Sequence, residues 1–132
     1  KAQFVLVLDH HDTAMQDLKT NDAEHVYNAI NPKTANWEEF KASLDYDSEH
    51  DLYSVFDMER SGAMITWDFF YPGREAPRLL HHIQDRDLWK FEIPGTREIQ
   101  ANLFSYPYDF AVWDGLMFDS NPDDLIPGGI AL

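Results

Sequence analysis

The sequence of 132 residues predicts an α/β fold, rich in helix and with a short, mostly parallel sheet. Three observations carry that expectation. Phe4-Val5-Leu6-Val7-Leu8 is an unbroken apolar run, the pattern of a strand covered on both faces, as strands of parallel sheets are. Leu52-Tyr53-Ser54-Val55-Phe56 is a second run with aromatic and β-branched content. From Ser61 onward apolar residues recur at helical spacing, and Pro-Gly pairs separate the segments.

Taken in order, the strand over 4–8 is followed by a short helical turn from Thr13 to Leu18. The stretch from Lys19 to Asp51 is polar and acidic, is broken at Asn31-Pro32, contains a short helix from Trp37 to Leu44, and reads as a surface excursion. The mixed pattern of 52–56 places that strand toward the sheet edge. Ser61 is suited to cap a helix from Gly62 to Phe70, with positions 63, 64, 67 and 70 on one face and Pro72-Gly73 as its stop. Glu75 to about Leu88 is expected as the next helix, apolar at 79, 80 and 83. After the Pro94-Gly95 turn, Thr96 can cap a helix through Phe104, and Tyr106-Pro107-Tyr108 breaks it. Phe110, Val112 or Trp113 and Leu116 suggest a last amphipathic segment. Trp67, Trp89 and Trp113 read as core residues. The whole of 1–132 reads as one domain, ending at Gly128-Gly129-Ile130-Ala131-Leu132 without an evident closing element.

Ten basic against twenty-four acidic residues give a formal charge of −14. That sign excludes a protein that grips long duplex nucleic acid by counterion release, but not one that takes a short anionic substrate. There is no cysteine, so disulfides, thiolate metal sites and cysteine nucleophiles are excluded. No apolar run approaches the ~20 residues of a membrane span, and no signal-peptide pattern is present, so no membrane partner is expected and a cytoplasmic location is.

The chemistry gathers at the end of the first strand. Its C-terminal tip is Asp9-His10-His11, and strand tips are where open α/β sheets bind ligands. One carboxylate and two imidazoles suit a divalent metal and a phosphate, and a carboxylate beside a liganding histidine fixes its tautomer.

Asp9-His10-His11 with Asp12-Thr13-Ala14, then Phe56-Asp57-Met58-Glu59-Arg60-Ser61-Gly62-Ala63, then His82-Ile83-Gln84-Asp85-Arg86-Asp87-Leu88-Trp89, resembles in order and spacing the DHH phosphoesterase superfamily. The similar branch is that described as oligoribonucleases or cyclic-nucleotide phosphodiesterases. The resemblance implies a partial Rossmann-like domain, its C-terminal part, because the family carries an Asp-x-Asp motif and a further aspartate ahead of Asp-His-His and usually a substrate-gripping domain after it. It implies a divalent cofactor, manganese before magnesium, with His10 and Asp85 as metal ligands. His11 is implied to face the substrate phosphate, and Asp9 to orient an imidazole or share the metal shell, so that these two form the catalytic pair. The implied substrate is a short oligonucleotide or another small phosphoester.

Arg60, Ser61 and Gly62 lead into a helix N-terminus, where free amides suit a phosphate, although a plain helix cap accounts for them equally. Arg86 is a further candidate for the phosphate; with Arg60, Arg74, Arg78 and Arg97 it makes up all the arginines, for which salt bridges are the alternative use. Asp85 has a structural alternative as a capping acid, and Asp87 is read as structural. His81 and Asp85 lie four apart on a helix and are placed to chelate, but the family leaves the His81 and His82 positions variable, so both are treated as ordinary helical residues. His25 and His50 receive no role. Two functional expectations result: a truncated piece of a metal-dependent phosphohydrolase, inactive by itself, or a catalytically dead acidic assembly module that forms a homo-oligomer through the edge of its opening strand.

Overall fold

The computed structural model describes residues 4–21, 27–44 and 51–131, so that His25 and His50 lie outside the described residues. Two compact units divide the chain, residues 1–74 and 75–132, each with its own core.

In the first unit, β1 (Phe4–Asp9), α1 (Asp12–Asn21), β2 (Tyr27–Ala29), α2 (Trp37–Ser43), β3 (Asp51–Phe56) and α3 (Gly62–Phe70) follow one another. The strands form one parallel sheet in the order β1-β3-β2. Phe4 stands opposite Asp51 and Asp9 opposite Phe56, while Tyr27 pairs with Leu52 on the other side. The fold class is thus as expected, but the two strands exchange the roles the sequence suggested. β3 is the middle strand, with Leu52, Tyr53, Ser54 and Val55 all buried. β1 has a strand partner on one side only among the described residues, and Val5 is 52% exposed. A central strand must be covered on both faces, whereas an edge strand needs cover on one. Phe4, Leu6 and Leu8, alternate residues of β1, accordingly pack on the core of Phe40, Tyr53, Val55, Ile65 and Phe69, and Val5 does not. Phe4, Phe40 and Tyr53 meet edge to face, with centroids 5.0 to 6.4 Å apart.

Helix α3 starts where expected, with the Ser61 hydroxyl accepting the Met64 amide at 3.1 Å. Its buried side is Met64, Ile65 and Phe69, continuing from Ser61, and not the 63, 64, 67, 70 face; Ala63 and Phe70 are exposed. Nearly every residue of Gly62–Phe70 is apolar or small, so two faces compete and the sheet selects the one carrying Ile65 and Phe69. Within the acidic excursion, β2 is a three-residue strand too short to show a pattern.

The second unit contains α4 (Arg78–Asp87), α5 (Thr96–Leu103), α6 (Phe110–Asp114), a π-helical turn (Gly115–Asp119), a 3-10 turn (Pro122–Leu125) and α7 (Ile126–Ile130). Leu79, Ile99, Leu103, Leu116 and Leu125 form its core. Helix α4 begins three residues later than expected, because Pro77 biases the residue before it away from helical geometry. Gly95, not Thr96, occupies the N-cap of α5, at φ 88°, a conformation open to glycine. Trp113 packs partly on this core, but Trp89 and Phe110 are 73% and 91% exposed and are not core residues. The Gly128-Gly129 ending, which read as lacking a closing element, forms α7 and packs on α5: Gly129 approaches the Glu98 backbone so closely that a Cβ would overlap it. Among the described residues, no helix is long and apolar enough to cross a membrane.

Candidate metal centre

Asp9 is the last residue of β1, and the Asp57 amide donates to its carbonyl at 3.3 Å, carrying the ladder one step past β3. The chain then leaves the sheet at His10 and His11 and enters α1. One carboxylate oxygen of Asp9, Oδ1, accepts from the His10 amide at 2.8 Å and lies 2.8 Å from His11 Nδ1. An ionised carboxylate only accepts, so the His11 proton is assigned to Nδ1 and the lone pair to Nε2. The His11 side chain is 63% exposed and its ring lies 4.2 Å from that of His10. Burial pushes the Asp9 carboxyl up, but the His11 hydrogen bond and the His10 amide outweigh it and hold the group below its ordinary value.

His10 is the more enclosed imidazole. Its Nδ1 accepts from the Gly62 amide at 3.2 Å, one of the amides that the first turn of α3 leaves without a helical partner. The tip of β1 is thereby tied to the start of α3. Asp9, His10 and His11 each offer one ligand atom, all within 4.8 Å of one another. A carboxylate and two imidazoles at that separation are a donor set that manganese or zinc accepts.

The neighbouring candidates behave differently. The Ser61 oxygen is engaged by the Met64 amide and the residue is buried. Arg60, expected to face phosphate, is fully engaged: Nε donates to Asp57 at 2.7 Å, Nη1 to Asp68 at 2.6 Å and Nη2 to the Pro32 carbonyl at 2.8 Å. Burial pushes the Arg60 pKa down, but the Asp57 and Asp68 carboxylates outweigh it and hold the group above its ordinary value. The arginine staples the loop between β3 and α3.

Asp85 belongs to the second unit and is found as the capping acid rather than beside an open ligand position. It is only 5% exposed. Oδ1 accepts the Glu92 amide at 2.9 Å, and Oδ2 accepts the Ile93 amide at 3.0 Å and the Thr96 hydroxyl at 2.7 Å. Its carbonyl takes the Lys90 and Phe91 amides. Burial pushes this carboxyl up, and the Thr96, Glu92 and Ile93 hydrogen bonds bring it below its ordinary value. Beyond Thr96 lies His82, whose Nδ1 is 2.8 Å from the same hydroxyl. Because that hydroxyl gives its one proton to Asp85, it accepts from His82, which fixes the imidazole proton on Nδ1. Sequence reasoning missed this buried Asp85-Thr96-His82 chain; the only signal was a threonine directly after a Pro-Gly turn, which reads as a cap. Arg86 lies 6.0 Å over the Phe104 ring.

No known family's sequence profile matches the chain, and no solved structure matches it. Over 75 residues it is 36% identical to an uncharacterized protein of Acanthamoeba polyphaga mimivirus. Those residues are 57% of this chain and 18% of the relative, so the match spans less than a fifth of that protein's length.

Proposed function

We propose that this chain carries part of the centre of a divalent-metal-dependent phosphoesterase, of the DHH type, acting on short oligonucleotides or small nucleotides in the cytoplasm. The observation that carries the reading is the convergence of the Asp9, His10 and His11 ligand atoms at the tip of a parallel strand, against the first turn of α3. Asp9 and His10 would hold the ion, and manganese ahead of magnesium is what the resemblance to the DHH phosphoesterases implies. When bound, the ion supplies charge for a phosphoryl oxygen and lowers the pKa of a water. Asp9 stays ionised and holds the His11 proton on Nδ1, so that Nε2 faces outward as a hydrogen-bond or proton acceptor. The Gly62 amide uses the His10 Nδ1 lone pair, which puts that ring's proton on Nε2, so an ion held by His10 would take Nδ1 in place of the amide. Asp85 is given the loop-closing role described above.

The test is a manganese titration of the chain followed by electron paramagnetic resonance and calorimetry. One ion per chain is expected, lost in Asp9→Asn and in His10→Ala. Saturable binding that survives both substitutions, or no binding at millimolar manganese, overturns the proposal. Manganese-dependent hydrolysis of di- to tetraribonucleotides is expected only once a segment carrying the remaining ligands is joined to the chain, and no gain on joining it overturns the reaction.

A second reading, an acidic assembly module without catalysis, draws on the one-sided pairing of β1 and the exposure of Val5. It expects a homo-oligomer in light scattering, dispersed by Val5→Lys; a monomer sinks it.

A further inference from the structure

We propose that the loop over 88–95, with the adjoining face of α5, is a stacking surface for the bases of a short single-stranded oligonucleotide. Three features of the second unit converge there. Trp89, the most exposed tryptophan, and Phe91 stand edge to face with ring centroids 5.0 Å apart. Both have positive φ, 57° and 52°, a conformation that costs a bulky residue free energy and persists only where its surroundings impose it. Here the surroundings are Asp85: its carboxylate and carbonyl together take the amides of Lys90, Phe91, Glu92 and Ile93. A buried acid thus holds an indole 73% exposed in water, where burial alone would not leave it.

Cations flank these rings. The Arg97 guanidinium lies 3.7 Å over Phe91, and Arg86 lies 6.0 Å over Phe104, which is 67% exposed. Arg97 and Phe104 are seven residues apart across α5 and its C-cap, so they share one face. In a chain of twenty-four acids, Arg86, Lys90 and Arg97 take part in no ion pair among the described residues. Two exposed rings, Trp89 and Phe104, with the half-buried Phe91 under Arg97 and beside unpaired arginines and a lysine, are the chemistry that binds unstacked bases and tracks their phosphates. The net charge of −14 and the neighbouring Asp87 and Glu92 limit the electrostatic contribution, so stacking dominates and the ligand is short.

The choice of ligand rests on the phosphoesterase reading; the test needs no metal, so the two fail separately. Binding of fluorescein-labelled hexa-adenylate to the full chain is followed by anisotropy and tryptophan quenching in EDTA. Saturable binding with quenching is expected, and an abasic strand of equal length should bind at least about tenfold more weakly. Trp89→Ala and Trp89→Gly should each lose about tenfold, the glycine variant melting no lower than the parent because it accepts the positive φ without strain. Arg97→Gln should lose severalfold and flatten the salt dependence by ~0.7 in log–log slope. Equal binding of the abasic strand, undiminished binding by the Trp89 variants, or no binding by the parent at millimolar strand overturns the proposal. Loss of manganese binding with retained base binding would overturn the metal centre alone.

Discussion

The Thr96 hydroxyl donates to the Asp85 carboxylate at 2.7 Å inside the second unit, and both residues are buried. The single bond does two things. It completes the hydrogen bonding of the acid that closes the 88–95 loop, and it turns the hydroxyl oxygen toward His82 as an acceptor. Thr96→Val keeps the shape and removes both bonds, leaving a carboxylate oxygen and an imidazole N–H short of partners. A loss of about 1–3 kcal/mol is expected in urea unfolding. Thr96→Ser should recover most of it.

Stability should fall with acid in two stages. Burial first, and Arg78 second, hold His82 below its ordinary value, against the opposing pull of Asp123 and Asp85. The unfolded chain therefore takes up a proton below about pH 6.5 while the folded chain does not. That contribution is complete above about pH 6.5 and is lost as pH falls toward the folded value. Asp85, also lowered, adds a second loss that begins below the ordinary carboxylate range and runs through its folded value. Urea midpoints measured from pH 8 to pH 3 should show both stages. His82→Gln should remove the upper one and leave the lower.

Much of this was legible in the linear chain and some was not. The strand ending at Asp9, the strand at 52–56, the Ser61 cap and the stops at Pro-Gly are set by local chemistry and stand as read. The order of strands is not local. Both runs are apolar, and only the pairing of β2 with β3 makes residues 52–55 the covered ones. Trp89 reads as a core residue by its size, and Phe110 by its spacing belongs to the apolar side of the last amphipathic segment; both lie outside, at a backbone clamp and at a helix start. Of the uses the sequence leaves open for Arg60, phosphate contact or salt bridge, the structure shows the second, with two acids facing it, one of them eight residues away.

Two glycines should respond oppositely to alanine. At Gly129 a Cβ would overlap the backbone of Glu98, which cannot give way as a flexible side chain can. Gly129→Ala should cost about 2 kcal/mol or more by separating α7 from α5. Gly115 has helical backbone angles and nothing within 4 Å of its Cβ position. Gly115→Ala should raise stability by about 0.5–1 kcal/mol, since it narrows the unfolded ensemble without a clash. Thermal melts of the two variants side by side check both signs.

A bound ion should be visible as added stability. Manganese at about a hundred times its dissociation constant should contribute roughly 2.7 kcal/mol to unfolding, and EDTA should remove it. His10→Ala also strips the Gly62 amide of its acceptor, so its baseline stability will be lower. The informative quantity is the manganese-dependent increment, expected to vanish in that variant.

The pairing of Phe4 with Asp51 has a kinetic consequence. A parallel neighbour cannot be reached through a tight hairpin, so the whole intervening stretch must be looped back before the first ladder bond forms. During synthesis the segment 4–8 therefore leaves the ribosome long before its partner exists, and waits as a bare oily ribbon. Refolding should show the imidazole cluster assembling in the slowest phase, with chaperone capture directed at those five residues.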